Sequence, residues 1–446
     1  MLIRTRREFF KTTLKSAAGF GAAGMLAKLS EMSALAAGNY QALVCINLAG
    51  GNDGHNMVIP VTTAQQNYGA YQSARASLAI PQGSLLSINN GNDVYGLHPN
   101  MPEMKALYNS GKAAVVANVG TLVQPLTKQA YQSNNSALVP AQLFSHSDQT
   151  GQWQSAIPTG LASTGWGGRI EDALAANNAG ASISPMTATT GCGLFCTGQQ
   201  TFATTVPVGG ASLLNNATGS RLAGVQQLLS FDNGLQLVQA ANGVFNRGIG
   251  FSQALNAALA NAVVTTPFPA NNVLGQQLQT VAKVMAVRAQ LGVNRQIFFC
   301  SLGGFDTHSA QAGNQDPLLL QLSRAVDAFY KATQELLVDQ NVVTFTMSEF
   351  GRTLQPNGSA GTDHAWGSHH FVVGSAVQGG KFYGQFPSLA LGGSDDANTR
   401  GTLIPTTSVD QYAATMAQWF GVGPANLGQV FPYVGNFPVN NLGFLG

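Results

Sequence analysis

Five of the seven histidines, His55, His308, His364, His369 and His370, fall in short polar segments that abut apolar runs. The segments are Ala49–His55, Gly303–His308, Ser348–Arg352, Gly361–His364 and Gly367–His370, and three of them also carry a carboxylate beside a strand-like run: Asp53, Asp306 and Glu349. Imidazole and carboxylate together are the usual ligands of zinc or another divalent ion. A plainer role for such residues is to cap loops and helices. Three carboxylate-bearing strand ends with clustered histidines favour the metal reading. A further segment, Leu143–Gln149, sets the hydroxyls of Ser145 and Ser147 beside His146 and Asp148, which offers a nucleophile, a base or ligands. Adjacent residues of an extended chain point to opposite faces, so these cannot all act together, and an ordinary capped turn is the alternative. Trp153, Trp166 and Arg169 are candidates to line the same cleft, although core packing accounts for the tryptophans more simply.

These segments need elements to hold them. The runs Ala42–Leu48, Ala113–Val119, Gln296–Leu302, Val342–Met347 and Phe371–Val373 are apolar without alternation and flanked by glycine, as expected of strands covered on both faces. Leu318, Leu322, Val326, Phe329, Thr333 and Leu336 recur at helical steps and predict a helix of about six turns starting near Asp316-Pro317; a similar pattern covers Val281–Val287. Alternating strands and helices indicate a largely parallel α/β sheet, in which ligands bind outside the carboxyl ends of the strands. The polar segments lie there, and their glycines permit sharp turns and close approach. The Gly/Thr-rich stretch near 183–219 reads as an insertion or lid, and no linker divides residues 38–446, which are expected to form one domain.

The first 37 residues read differently. Arg6-Arg7 precedes an apolar Gly/Ala-rich run, Ala17–Leu29, and then Ala34-Leu35-Ala36-Ala37, the order of a cleavable export signal with a twin-arginine motif. Lys15, Lys28 and Glu31 interrupt the run, which is too short for the roughly 20 residues of a membrane span, so a stable anchor is not expected. Without the leader 15 basic and 17 acidic residues remain of 21 and 19, so the mature chain is slightly acidic and offers no basic surface for nucleic acid or anionic lipid. Charged residues are only 9% of the chain, well under the ~25% of an ordinary domain. Of four cysteines, Cys45 and Cys300 lie in apolar runs and read as buried thiols, while Cys192 and Cys196 are placed to form a short disulfide in an oxidising compartment.

The leader Thr5–Lys11 with Ala49–Gly54, Leu143–Gln149, Thr164–Arg169, Gly303–His308, Ser348–Arg352 and Gly361–Gly367, in that order, resembles a family of twin-arginine-exported bacterial proteins, domain of unknown function 1501, within the alkaline phosphatase/sulfatase-like superfamily. The resemblance implies a mixed, mostly parallel α/β sheet sandwiched between helices, with a divalent metal (zinc, manganese or calcium) at the strand ends. By position it implies Asp53, Asp306, His308, Glu349 and His364 as metal ligands. The chain departs from that pattern where Ser348-Glu349 replaces an Asp-His pair, where Asp306-x-His308 is tighter, and where the sulfatase Cys-x-Pro-x-Arg is absent.

The expectation is therefore an exported, periplasmic or secreted, metal-dependent hydrolase of phosphate or sulfate esters. Ser145 or Ser147 would be the nucleophile beside His146, and Arg352, with Arg169 second, would neutralise charge on the transferred group. Its partners would be the twin-arginine translocation machinery and a small ester substrate or surface polymer. The alternatives are a non-catalytic exported binding or assembly protein that keeps the fold, and a periplasmic partner subunit that binds metal only for stability.

Overall fold

The computed structural model describes residues 40–133, 135–210, 218–232 and 234–446. The expected export leader, residues 1–37, lies outside them. Among the described residues the strands are β1 Gln41–Ala49, β2 Val58–Thr62, β3 Leu86–Asn90, β4 Asp93–Leu97, β5 Ala113–Gly120, β6 Met186–Ala188, β7 Thr204–Thr205, β8 Arg295–Gly303, β9 Val342–Met347, β10 Ser368–Val373, β11 Phe382–Tyr383 and β12 Thr407–Ser408. Nine form one sheet in the order β11-β5-β10-β9-β1-β8-β6-β7, with β12 also on β5; β2, β4 and β3 form a small antiparallel sheet.

The large sheet is mixed and mostly parallel, as expected. Strand β1 lies between β8 and β9 and is parallel to both, in a register that runs from Gln41↔Arg295 to Ala49↔Gly303. Among the described strands of this sheet, only β10 runs against its neighbours, β9 and β5. Because β1, β8 and β9 share direction and register, their carboxyl ends leave the sheet at one edge. The unalternating apolar pattern has its cause in two covered faces. Leu43 and Cys45 of β1 join one core, whereas Ala42, Val44, Ile46 and Leu48 join the other.

Among the helices that flank the sheet or shape the surface beside it are α1 Tyr68–Arg75, α2 His146–Ser155, α3 Trp166–Ala173, α4 Ser220–Leu228, α5 Gln236–Leu259, α6 Val273–Ala286 and α7 Gln311–Glu335. Helices α6 and α7 pack on one face of the sheet, while α2, α3 and the helix Val409–Phe420 cover the other. Helix α7 begins at Gln311, one and a half turns before the start expected at Pro317. Its first turn is anchored by the backbone of a neighbouring loop, since Ala310 and Gln311 donate to Ser359 O and Ala360 O at 3.1 and 2.9 Å, and a proline this near the amino end removes few helical hydrogen bonds. The Gly/Thr-rich stretch supplies β6 and β7, which extend the sheet beyond β8. Cys192 and Cys196 form a disulfide beside it, and Cys45 and Cys300 are buried free thiols. No helix among the described residues is long and apolar enough to cross a membrane.

Candidate metal centre

Asp306 and His308 follow β8, Glu349 follows β9, His364 precedes β10, and His146 opens α2. The fold brings His146, Asp306 and His364 together, with His308 beside Asp306 and His364. The Nε2 atoms of His308, His364 and His146 stand 3.1, 3.5 and 3.6 Å from Asp306 Oδ1. His308 Nε2 is 2.9 Å from His364 Nε2. Ligand atoms of His146, Asp306 and His364 all lie within 4.8 Å of one another. Donors arranged tetrahedrally at the zinc–nitrogen and zinc–oxygen distances stand about 3.4 Å apart, close to the separations of the three imidazoles from Asp306.

The far side of each imidazole fixes which nitrogen faces inward. His146 Nδ1 is 3.0 Å from Glu349 Oε1, His364 Nδ1 is 2.8 Å from the Phe144 carbonyl, and His308 Nδ1 is 3.4 Å from Asp363 Oδ1. Each of these partners is an acceptor and can hold a proton on Nδ1, which leaves Nε2 free to act as a ligand. The Nε2 atoms of His146 and His364 then face the Asp306 carboxylate, with His308 Nε2 beside them, and Arg352 donates to Asp306 from the other side. Such a set has the donor chemistry of a divalent-cation site. Burial lowers the His364 pKa further, with Arg352, His146 and His308 acting in the same direction against the Phe144 carbonyl, so its neutral, ligating form is favoured. Partial burial alone would raise the Asp306 carboxyl. The Arg352 hydrogen bond and charge, with His308 and His146, outweigh it and hold Asp306 below the usual carboxylate range.

Close backbone approach makes the convergence feasible. Gly50 and Gly51 have φ of +119° and +82°, and a Cβ on Gly51 would stand 2.2 Å from the Phe350 ring. That ring packs against both His146 and His364, with centroids 4.9 and 4.6 Å away, and helps fix their planes.

The remaining expected residues take other places. Glu349 stands one step out, holding His146 Nδ1 and accepting from Gly50 N at 2.8 Å. Arg352 is buried, and all three of its nitrogens are engaged by protein: Nε on Gly51 O at 2.8 Å, Nη1 on Thr362 O at 3.1 Å, and Nη2 on Gly50 O and Asp306. In this geometry it positions Asp306 rather than facing solvent. Asp53 is buried away from the four converging groups. It pairs with Arg75 of α1, accepts from Gln311 of α7, and accepts the His55 N–H at 2.9 Å. Gln311 Oε1 in turn accepts from Thr307 Oγ1 at 3.0 Å and from Thr362 Oγ1, residues that lie inside the two ligand-bearing loops. Asp53 is thereby tied through one glutamine to the segments of both His308 and His364.

Ser145 caps α2 and donates to Asp148 Oδ2 at 2.5 Å, while the exposed Ser147 donates to the same oxygen at 3.2 Å. Arg169 is taken up by the carbonyls of Thr164, Ser155 and Val430, and Trp153 and Trp166 are in the core. His55, His369 and His370 are buried outside the cluster. Asp363, Phe144, Gln311 and Arg75 are the participants not singled out from the sequence. Of these, Asp363 adjoins a named histidine, and Gln311 with Gln315 shows the four-residue spacing of one helix face; Arg75 and a backbone carbonyl leave no signal.

Known proteins resemble the chain to different degrees. No curated protein matches it in sequence. Among solved structures, the chain is similar to Ps i-CgsB in complex with k-i-k-neocarrahexaose, at 9% identity and a TM-score of 0.36, covering 90% of this chain and 77% of that one. It is also similar to the PsFucS1 sulfatase from Pseudoalteromonas sp. (9% identity, TM-score 0.34, 90% and 73% covered) and to the lipoteichoic acid synthase LtaP from Listeria monocytogenes (8%, 0.30, 79% and 68%). The likeness is remote, and the chemistry of the site rests on its own side chains. The sequence itself is decisive for kinship: residues 40–417 match the family described as "Protein of unknown function (DUF1501)", and the chain belongs to that family.

Proposed function

We propose that this chain is an exported, metal-dependent hydrolase of phosphate or sulfate esters. The observation that carries the metal is the convergence of three imidazole Nε2 atoms on the Asp306 carboxylate, each imidazole oriented from behind by an acceptor. A divalent cation held by His146, Asp306, His308 and His364 would act as a Lewis acid on an ester oxygen. The protein supports that chemistry by fixing tautomers through Glu349, Asp363 and Phe144, and by holding Asp306 ionised through Arg352. Ser147 is the nucleophile candidate best placed for solvent, with Asp148 to accept its proton. The twin-arginine leader supports export already folded.

A second reading has its own support. Arg352 is engaged by protein and Ser145 by its helix cap, so neither is free to act on a bound ester; this favours a protein that binds metal without turnover. Turnover of aryl phosphate and aryl sulfate esters separates the two. The hydrolase reading expects activity that chelator abolishes and that the His364→Ala variant lacks. Metal-replete wild-type protein inert on both esters would leave the second reading.

A further inference from the structure

The side chain of Asp363, which stands behind His308, has a second neighbour. Arg400 Nη1 donates to Asp363 Oδ2 at 2.7 Å, while Asp363 Oδ1 is 3.4 Å from His308 Nδ1 and accepts from Asn357 Nδ2 at 3.1 Å. The loop that delivers Arg400, residues 392–402, is fixed from within. Asp396 is fully buried, and its two oxygens accept the backbone N–H groups of Gly392, Asn398, Gly401 and Thr402 at 2.8, 3.1, 2.9 and 3.0 Å. Lys128 donates to the carbonyls of Gly392, Gly393 and Asn398 at 2.8, 3.1 and 3.2 Å. Leu354 N and Gln355 N donate to Gly401 O and Arg400 O at 3.1 and 3.0 Å, which ties the loop to the segment that follows Arg352. Gly401 permits that approach: its φ is +77°, and a Cβ there would stand 2.3 Å from Leu354 Cβ.

Only one nitrogen of this well-anchored arginine is used by the protein. Nε and Nη2 of Arg400 have no partner among the described residues, and the side chain is 40% exposed. The neighbouring cations differ. Arg352 and Arg75 direct every guanidinium nitrogen at protein groups, and Lys128 is taken up by the loop's carbonyls. Asp306, His308 and Asp363 are 46%, 45% and 36% exposed, so accessible polar surface runs from the metal-facing carboxylate to the Arg400 guanidinium. Along it the contacts set the His308 ring and the Asp363 carboxylate between Asp306 and Arg400. A group held at the inner nitrogens and a group held by Arg400 are therefore two different groups.

We propose that Arg400 receives a second negative charge on the substrate, so that the preferred esters are those whose leaving group is itself anionic. This rests on the reading of the metal centre as an ester site. The free Nε and Nη2 form one edge of a planar guanidinium, which matches two oxygens of a carboxylate, sulfate or phosphate. Both Asp363 oxygens are already occupied by donors, and the fixed loop and the Asp363 contact leave little of Arg400 to be ordered on binding.

Two phosphonates without a cleavable ester bond test it: phenylphosphonate and 4-carboxyphenylphosphonate, alike except for a distal carboxylate. Each is titrated calorimetrically into the zinc-saturated mature chain and into its Arg400→Gln and Arg400→Lys variants. The ratio of the two affinities is read within each protein, so a change in zinc affinity does not enter it. The wild type is expected to favour the carboxylated probe by about fivefold or more, the upper end for a partly exposed ion pair; the ratio falls to about one in Arg400→Gln and stays above one in Arg400→Lys. Equal affinities in the wild type overturn the proposal, and so does a preference that Arg400→Gln retains. Wild type that takes up zinc but binds neither probe fails the ester-site reading itself, and the proposal with it. Wild type that takes up no zinc removes the metal centre on which both stand.

Discussion

Each metal-facing imidazole, taken as a single residue, depends on the group behind it. Replacing Glu349 by Gln keeps an acceptor oxygen for His146 Nδ1 but removes its charge, and the expected outcome in a metal titration is affinity weaker by about 10- to 100-fold with the fold retained. Asp53 behaves differently, because it belongs to a buried pair. Asp53→Ala leaves the Arg75 guanidinium buried without its carboxylate, which costs about 3–5 kcal/mol and should lower the denaturant midpoint strongly. Metal affinity should fall with it, since Gln311 loses the anchor that steadies Thr307 and Thr362. Acid sensitivity also arises from individual side chains. Burial pushes His55 down to about 4 and His370 down to about 3, and His369 well below its usual value. Unfolded histidine titrates near pH 6.5, so these groups stabilise the fold fully above that pH. The contribution is lost as pH falls from about 6.5 toward 4, because the unfolded chain takes up protons that the folded chain refuses. Asp410 runs the other way: burial raises it to about 8, so its contribution falls as pH rises from about 4 to 8. Thermal melts across pH 4–8 should show the midpoint dropping on the acid side of 6.5. A midpoint flat to pH 4 would exclude the buried neutral histidines.

Among the elements, the strands are legible in the sequence and their purpose partly so. The runs read as β1, β5, β8, β9 and β10 carry the apolar signature of a sheet covered on both faces, and the polar segments at their ends mark where the site is built. The start of α7 is not legible, because tertiary hydrogen bonds rather than local caps hold its first turn, ahead of Pro317. The roles of Asp53 and Arg352 are hidden for a related reason. Sequence places both next to the site, but their partners, Arg75 and Asp306, are 22 and 46 residues away, and only the folded chain shows that each is engaged. The Cys192–Cys196 disulfide closes a short loop beside the β6–β7 edge. Replacing both cysteines by serine is expected to lower stability by about 2 kcal/mol, read as a shifted melting temperature, with bound metal retained.

Across the whole molecule, one continuous sheet does two things. Its parallel centre delivers Asp306, His308 and Glu349 to a single edge, and the antiparallel β10 with the loop before it brings His364 back to the same place. Helix α2 closes the set with His146. The sequence matches its family across nearly the whole of this scaffold, and at that edge gather the groups that could hold a cation. Elemental analysis of the mature protein, beside its Asp306→Ala/His308→Ala variant, decides whether one is held there. Near-stoichiometric zinc, manganese or calcium is expected in the wild type, with its loss from a variant that remains folded by circular dichroism. Wild-type protein that is folded, free of metal and unable to take up any of the three ions would rule the metal centre out.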